Sequence, residues 1–489
     1  MIPLLSLASP SPSASGTGST VVGHSMPLPG AAPWLPLVAL GLGLVLLVWF
    51  GFKAVRYLRA DTETRASIRQ AARIRRTWPR LARNLGLTTT DHVPTLVQQL
   101  TSKDGNTPSP RILTPKIHTQ ADRFGVKVQL ATVAKVGLVE VQRHAEHLAD
   151  AWRCTRVSVD LGKPGQLTLR AVRNEPLHVV RRYTPTGLPP RDLTRWGLGV
   201  DEYARDVTLR TGNISGITVA GVPGSGKTSM QNCLIARLAP SDAVQFVVLD
   251  GKVSRAEEGD YADVIDRISH FVGDDLEAAH ELFERLVRLR SDRSSAVRPT
   301  LGSTNMWDKG PTRAWPLVVV IIDEAHTYFR DYKGSDPKTK RLAALTAENA
   351  RLVEDLVKKG RNVGILTILA TQKATGDAIP TFIRDVCAVS LSFAQKTTEA
   401  AVAALGEEIR NWPDHSPLQL QDARYVGVAV MAREGHKGFL RVRLPYVTAA
   451  DLAHVAQAST HLTADPFTLL ATPPGLRLTK DDTPHADAA

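Results

Sequence analysis

The segment Gly221–Thr228, Gly-Val-Pro-Gly-Ser-Gly-Lys-Thr, has the residue types and spacing that bind nucleotide phosphates. It fits the pattern GxxxxGK[ST], with a strand-like apolar run before it and an amphipathic helical pattern after it. Gly224 and Gly226 allow consecutive backbone N–H groups to point at one phosphate, and the start of the helix adds partial positive charge. Lys227 would bridge the β- and γ-phosphates, and the Thr228 hydroxyl would ligate Mg²⁺.

The sequence therefore predicts a site for ATP and Mg²⁺ at this loop. The predicted nucleotide-binding residues are Gly221, Val222, Pro223, Gly224, Ser225, Gly226, Lys227 and Thr228.

A second motif, Pro316-Leu-Val-Val-Val-Ile-Ile-Asp323-Glu324, is an apolar strand that ends in two acids. Asp323 is suited to hold the metal, and Glu324 to polarise the attacking water. The two acids could instead be a helix N-cap and a solvated side chain, but their pairing with the phosphate loop favours catalysis. We therefore predict that the protein hydrolyses ATP as well as binding it.

A third apolar strand over residues 364–369 is followed by Ala370-Thr371-Gln372. A polar side chain at the carboxyl end of that strand lies where open α/β sheets bind their ligands. Gln372 is therefore a candidate to sense the γ-phosphate or to orient water.

Strand and helix patterns alternate from about residue 195 to 456, which predicts an α/β fold with a mostly parallel sheet. The predicted strands are 217–220, 244–249, 317–322, 364–369, 388–393, 426–431 and 439–444. The predicted helices are 228–238, 275–290, 340–359 and 397–405. Before this region, residues 122–182 read as a small α+β unit with a hairpin around 162–165.

Residues 34–52 form an uninterrupted apolar stretch, WLPLVALGLGLVLLVWFGF. A helix of this length spans roughly 28 Å, about one hydrocarbon core, which predicts a transmembrane helix. A buried core helix and a signal peptide are the alternatives. Residues 53–84 carry ten positive and two negative charges, so they hold +8 of the net charge of +12. This asymmetry predicts a single-pass protein in the cell membrane with its C-terminal part in the cytoplasm.

The net charge by itself indicates a polyanionic partner, either nucleic acid or an anionic lipid surface. Because most of the excess follows the apolar stretch, contact with lipid headgroups is sufficient to explain it. The three cysteines are far apart in the sequence and indicate neither a disulfide framework nor a zinc site.

These patterns predict six consecutive regions. They are a disordered non-cytoplasmic N-terminus over 1–33, a transmembrane helix over 34–52, a basic juxtamembrane region and linker over 53–121, a small α+β domain over 122–194, a P-loop ATPase motor over 195–456 and a C-terminal tail over 457–489.

Several segments resemble the FtsK/SpoIIIE family of DNA-pumping ATPases, over about residues 122–455. The segment from Arg361 to Gln372, RNVGILTILATQ, is similar to that family's RxxGIxLxLATQ, with Thr367 replacing its first Leu. Asp250-Gly-Lys252 resembles the family's strand-end D-x-K. The closing strand from Arg441 and the small domain before the phosphate loop are also similar.

The resemblance implies a RecA-like core, a homo-oligomeric and hexameric ring with ATP sites between subunits, and double-stranded DNA in the channel. It makes Arg361 a candidate arginine finger that acts on the neighbouring subunit's γ-phosphate. A surface arginine with no such role is the alternative. Lys333, Lys338, Lys340 and Arg341 are candidates for DNA phosphate contacts, and a solvated loop is an equal alternative.

With one predicted membrane helix and a short linker, the chain looks like the main transfer proteins of actinomycete conjugative elements. The family's DNA-reading winged-helix module is not expected, because only 38 residues follow Asp451. The function predicted is a membrane-anchored, ATP-driven translocase of double-stranded DNA, in conjugative plasmid or integrative-element transfer. The alternatives are a coupling or secretion ATPase that moves protein or single-stranded DNA, a chromosome-partition translocase, and a non-catalytic scaffold.

Overall fold

The computed structural model describes residues 35–91, 111–372, 378–432 and 438–469. The predicted disordered N-terminus over 1–33 and most of the predicted C-terminal tail lie outside these ranges. By internal contacts the chain divides into two units, residues 1–61 and residues 62–489.

In the first unit, helix α1 spans Leu35–Arg59. Among the residues that the structure describes, no helix is both long enough and apolar enough to cross a membrane. The transmembrane helix predicted over 34–52 overlaps α1.

The second unit begins with a small α+β domain built on a four-stranded antiparallel sheet in the order β3-β4-β6-β5. Its helices are α2 (Thr62–Asn84), α3 (Leu138–Arg143) and α4 (Ala145–Trp152). Its strands are β1 (Thr89–Asp91), β2 (Arg111–Leu113), β3 (Ile117–Asp122), β4 (Gly125–Ala131), β5 (Arg156–Leu161) and β6 (Gln166–Val172). The predicted hairpin around 162–165 is the β5–β6 hairpin. Strand β3 was assigned to a linker from the sequence.

Helix α2 has an apolar face that belongs to the core of this small domain. Ala71, Ile74, Trp78 and Ala82 follow the spacing of one helical face and are buried with the residues of the sheet. The Trp78 indole donates a hydrogen bond to the Pro115 carbonyl at 2.7 Å. The sequence assigned residues 53–121 to a juxtamembrane region and linker, so this packing was not anticipated.

The opposite side of α2 is an arginine face. Its exposed members recur at intervals of three or four residues, which places them on one side of the helix. They are Arg69, Arg73, Arg76, Arg80 and Arg83.

The larger domain contains a ten-stranded sheet in the order β12-β11-β13-β14-β10-β15-β16-β17-β8-β9. The strands of this sheet are β8 (Arg195–Asp201), β9 (Asp206–Arg210), β10 (Gly216–Ala220), β11 (Val244–Asp250), β12 (Ile268–Val272), β13 (Leu317–Asp323), β14 (Ile365–Thr371), β15 (Val389–Ser392), β16 (Val428–Ala432) and β17 (Phe439–Arg443). Strands β7 (Arg181–Arg182) and β18 (Pro445–Tyr446) pair with each other in a separate two-stranded sheet. The helices are α5 (Lys227–Leu238), α6 (Leu276–Leu301), α7 (His326–Phe329), α8 (Pro337–Lys359), α9 (Thr381–Arg384), α10 (Thr398–Leu405) and α11 (Ala449–Ser459).

Each predicted strand and helix of this domain has a counterpart in the structure, with ends that differ by a few residues and with α6 longer by eleven at its C-terminus. The sheet is less parallel than predicted. The strands from β12 to β15 in the sheet order pair in parallel, whereas β15 to β9 pair antiparallel. The β8–β9 hairpin and the edge strand β12 were not predicted.

The parallel half of the sheet is covered on both faces, as its apolar sequence predicts. In β13, alternate residues from Leu317 to Ile321 enter one core with α5 and α11. The residues between them, from Val318 to Ile322, enter a second core with α6 and α8. All seven residues of β13 are buried, so its carboxyl end is held by packing on two sides.

Candidate nucleotide-binding site

The phosphate loop connects the end of β10 to the start of α5, and its glycines adopt conformations that other residues disfavour. Gly224 has φ +71° and Gly226 has φ +113°. A Cβ on Gly226 would lie 3.0 Å from the Gly427 Cα, whereas a Cβ on Gly224 would meet open space. The Gly427 N–H also donates to the Ser225 carbonyl at 2.9 Å. The first N–H groups of α5 have no acceptor within the helix and form a binding point for anions.

Lys227 is buried beneath this loop. Its ammonium donates to the Gly221 carbonyl at 2.6 Å and to the Val222 carbonyl at 3.2 Å. Burial lowers its pKa to about 8, although Asp323 and Glu324 act in the opposite direction. The loop's own carbonyls therefore hold the ammonium beside the place where the phosphates would bind.

Thr228 and Asp323 meet at the carboxyl end of the sheet. The Thr228 hydroxyl donates to Asp323 Oδ2 at 3.2 Å, and the Glu324 N–H donates to Asp323 Oδ1 at 3.0 Å. A hydroxyl and a carboxylate are hard oxygen ligands of the kind that hold Mg²⁺ together with phosphate oxygens and water. These two side chains therefore fit the metal role that their sequence positions predicted.

Glu324 has an unusual backbone and is held by the neighbouring strand. Its φ of +57° is rare for a non-glycine residue, costs about 1–3 kcal/mol and persists only where the surrounding structure enforces it. Its carboxylate accepts the Gln372 N–H at 3.1 Å and lies 3.4 Å from the Thr371 hydroxyl. Strained residues concentrate at functional sites, which agrees with the predicted role of Glu324 in positioning water.

A lysine and further carboxylates that were not predicted as site residues surround the metal position. The Lys252 ammonium lies 3.0 Å from Asp323 Oδ2, 3.1 Å from Asp260 Oδ2 and 3.9 Å from Asp250 Oδ1. Burial disfavours the charged lysine, but the aspartates dominate and raise its pKa above the ordinary lysine value. The D-x-K resemblance marked two of these residues without indicating what they contact.

The structure brings Lys227, Thr228, Asp323, Glu324 and the backbone of Gln372 together within one chain. Arg361 lies apart from them, before the amino end of β14, while Gln372 follows its carboxyl end. Seven strand residues separate the two positions by roughly 23 Å at about 3.3 Å per residue. Arg361 therefore cannot reach the phosphate loop of its own chain.

The candidate DNA-contacting residues lie at the start of α8 and in the loop before it. All four are exposed. Lys333 pairs with Asp331 and Arg341 with Glu277, at 3.5 Å and 3.3 Å. Pairs this exposed contribute little to stability, so the cations can exchange partners easily.

Comparison with known proteins identifies a related domain. Residues 198–308 match the FtsK/SpoIIIE family, a range that contains the phosphate loop and ends before β13. Over 227 residues the chain is 27% identical to a DNA translocase FtsK of Leptospira interrogans, which covers 43% of this chain and 22% of that protein. It is 26% identical over 224 residues to a DNA translocase FtsK of Mycobacterium tuberculosis, covering 40% of this chain and 24% of that one. The chain thus spans about a quarter of the length of these relatives.

Two solved structures align with this chain at low sequence identity. The pCW3 conjugation coupling protein TcpA with ATPγS aligns with 80% of this chain and 99% of its own, at 14% identity and a TM-score of 0.47. The cytoplasmic domain of the Thermomonospora curvata type VII secretion ATPase EccC aligns with 58% of this chain and 33% of its own, at 18% identity and a TM-score of 0.42.

We predict that replacing Gly224 and replacing Gly226 destabilise the protein for different reasons. Gly224→Ala adds only backbone strain, so it should lower the free energy of unfolding by about 1–2 kcal/mol. Gly226→Ala adds the contact with Gly427 and should cost about 3 kcal/mol. Both should weaken ATPγS binding by at least about tenfold, because the backbone N–H groups no longer converge. Thermal unfolding and fluorescent-nucleotide titration measure the two effects.

Gly302→Ala is the matched control for these variants. Gly302 ends α6 with φ +68° and open space around it, so its strain resembles that of Gly224. It should lower stability as Gly224→Ala does and leave nucleotide affinity unchanged. Equal loss of affinity in Gly302→Ala and Gly224→Ala would contradict a specific role for the loop.

Proposed function

We propose that this chain is a membrane-anchored motor that uses ATP hydrolysis to move double-stranded DNA, because residues 198–308 match the FtsK/SpoIIIE family. The observation that carries this proposal is the convergence of the phosphate loop, Asp323 and Glu324 at one edge of the sheet. A site that only bound nucleotide would not need a strained carboxylate beside the metal ligand.

The chemistry proposed for the site follows from these positions. Thr228 and Asp323 would hold Mg²⁺, which would neutralise charge on the β- and γ-phosphates. Lys227 would move from the Gly221 and Val222 carbonyls to the phosphate oxygens. Glu324 would leave the Gln372 N–H and orient the attacking water.

Duplex DNA is proposed as the substrate on the family relationship, since the curated relatives are named DNA translocases. Exposed cations near the carboxyl edge of the sheet support this choice. Lys338 and Arg341 belong to the first turns of α8, which begins at Pro337, thirteen residues after Glu324. Movement of this segment during hydrolysis would therefore act on a DNA phosphate backbone bound beside it.

We expect duplex DNA to stimulate ATP hydrolysis by the full chain in detergent or nanodiscs, with stimulation that falls steeply as salt rises. Lys227→Ala should abolish nucleotide binding. Glu324→Gln should bind ATPγS normally and lose at least about a hundredfold in turnover, because only the water-orienting group is missing. Steady-state hydrolysis with duplex, single-stranded or no DNA measures this.

The same measurement separates the alternatives. Stimulation by single strands alone would favour a coupling ATPase, and slow hydrolysis that no DNA changes would favour a scaffold. Conjugative transfer is proposed over chromosome partition on the sequence resemblance, and a mating assay with the Glu324→Gln variant tests it.

We further propose that the active unit is a homo-oligomeric ring, hexameric in the family pattern, in which Arg361 completes the neighbour's site. The support is geometric, since Arg361 lies a full strand length from its own Glu324. The Arg361 carbonyl accepts a hydrogen bond from the Trp307 indole at 2.8 Å, and its guanidinium lies 3.3 Å from the Asn362 side-chain oxygen. The backbone is thus fixed by a hydrogen bond while the side chain is exposed.

Mixing two inactive variants should restore hydrolysis if sites form between subunits. Arg361→Ala retains the phosphate loop, and Lys227→Ala retains the arginine, so a mixed ring contains some complete sites. We expect each variant alone to be inactive and the mixture to regain a measurable fraction of turnover. Lys227→Ala mixed with Glu324→Gln is the control, since both lesions lie in the same half-site of a shared interface. No recovery in the first mixture would contradict a trans role for Arg361.

We also propose that residues 34–52 anchor the chain in the cell membrane, with the motor in the cytoplasm and the arginine face of α2 towards anionic headgroups. The apolar stretch and the positive charges after it support this orientation. Basic residues near such a surface contribute about 1 kcal/mol each.

The contributions of the membrane anchor and of the arginine face can be tested separately by extracting the protein from membranes and by measuring vesicle binding. Full-length protein should stay in the membrane fraction in high salt and be released only by detergent, because a buried apolar helix is not screened by ions. Replacing Arg73, Arg76 and Arg80 with Gln should leave that behaviour unchanged and weaken the binding of a fragment from Thr62 to anionic vesicles. Release of the full chain by salt alone would contradict the transmembrane proposal.

A further inference from the structure

Lys252 occupies the position where a metal ion would meet its protein ligands. Its Nζ lies 3.0 Å from Asp323 Oδ2 and donates to the Thr228 hydroxyl at 3.4 Å. These are the two oxygens that would hold Mg²⁺. The ammonium therefore touches both of them at once, from a residue that follows the end of β11.

We propose that the Lys252 ammonium is an internal counter-ion of the metal site, which positions Asp323 and Thr228 in the metal-free protein and is displaced towards Asp260 and Asp250 when Mg²⁺–nucleotide binds. The proposal rests on nucleotide binding at the site described above, and it does not depend on DNA. It makes Lys252 a positioning residue that sets the metal requirement of the site.

The need for a cation follows from two buried carboxylates on adjacent strands. Asp250 and Asp323 are direct partners in the parallel register of β11 and β13. Their side chains are 0% and 1% exposed. Two such charges side by side are strongly unfavourable without a nearby cation. Lys227 is turned towards the Gly221 and Val222 carbonyls, whereas Lys252 lies against Asp323 itself.

The surroundings also provide a place for the displaced ammonium. Asp260 is 60% exposed and already accepts Lys252 at 3.1 Å. Asp250 Oδ2 is buried and has no hydrogen-bond partner in the described part of the chain. Lys252 itself is only 22% exposed, but its flexible four-carbon stem allows the ammonium to rotate between these oxygens.

Repulsion between the two cations accounts for the displacement of the Lys252 ammonium by Mg²⁺. Mg²⁺ binds oxygen at about 2.1 Å, so a metal on Asp323 and an unmoved ammonium would lie only about 3–4 Å apart. The two cations repel, and metal binding is therefore opposed by the attraction that holds Lys252 in place. The Mg²⁺ concentration needed for nucleotide binding is raised accordingly.

Asp323 keeps other partners while the lysine moves. The Tyr261 hydroxyl has one proton, which it can donate to Asp323 Oδ2 at 3.2 Å or to the Gln231 side-chain oxygen at 2.7 Å. The Glu324 N–H holds the second oxygen. The carboxylate is thus fixed from two sides, and exchange of the cation need not disturb the end of β13.

The test is the dependence of fluorescent ATPγS binding on free Mg²⁺, measured on the full chain in detergent. In Lys252→Met the half-saturating Mg²⁺ concentration should fall about tenfold, because the competing charge is gone. The melting temperature without metal should fall as well, and Mg²⁺–ATPγS should restore it. Lys252→Arg should keep the wild-type Mg²⁺ dependence, because the charge remains.

Asp260→Asn should shift the Mg²⁺ requirement in the opposite direction, upwards by about threefold, because the lysine loses its exposed alternative partner. The Asp260 side chain is 60% exposed, so this variant provides the test if Lys252→Met does not fold. Lys358→Met is the matched control, since Lys358 pairs with Glu354 on the surface of α8, and it should change nothing.

An unchanged or higher Mg²⁺ requirement in Lys252→Met would overturn the proposal, as would a lower requirement in Asp260→Asn. Both results presuppose that the wild type binds ATPγS. Failure of the wild type to bind nucleotide would instead overturn the proposed function, so the two failures are distinguishable.

Discussion

The parallel pairing of β10, β11, β13 and β14 is the constraint on which the rest of the structure depends. Their register sets Asp250 beside Asp323, Ile322 beside Leu369 and Ala220 beside Thr371. Residues between 47 and 151 positions apart in the sequence therefore end at the same level. The strands can hold this register because both faces of the sheet are buried, and a slip by one residue would exchange the two cores.

The antiparallel half of the sheet supports the phosphate loop from the other side. Arg443 in β17 is buried and donates to the backbone carbonyls of Leu177, Arg424 and Val426. Burial lowers its pKa to about 10, well above neutral pH, so the guanidinium stays charged and the carbonyls must satisfy it. The segment it fixes leads directly to Gly427, which contacts the loop at Gly226. The strands added beyond β15 thus determine how closely the backbone can approach the loop.

The sequence predicted the local parts of the site well and the contacts across the sheet poorly. The loop, Asp323 and Glu324 are recognisable because each motif combines a short chemical pattern with the strand or helix that positions it. Lys252 was marked only by the D-x-K resemblance, which does not indicate what the side chain contacts. Its position beside Asp323 depends on β11 and β13 being neighbours, which no local pattern in the sequence shows. The positive φ of Glu324 is equally invisible, because Glu is not a residue that favours that conformation. The β8–β9 hairpin was not predicted because its two alternating segments are short and are flanked by loops.

The distribution of charge also shows that a sequence pattern does not predict which surfaces pack together. Two thirds of the net charge lies within residues 53–84. The periodicity of this segment alone is compatible with a helix that is solvated or bound to lipid. In the structure, Ile74 and Trp78 bury one face of α2 in the small domain. The arginines are therefore displayed by a helix whose position is fixed by its apolar residues and not by the partner of its charges. A folded core, and not the partner, determines where this cationic surface lies. The surface therefore exists before any polyanion binds, and its backbone loses little conformational entropy on binding.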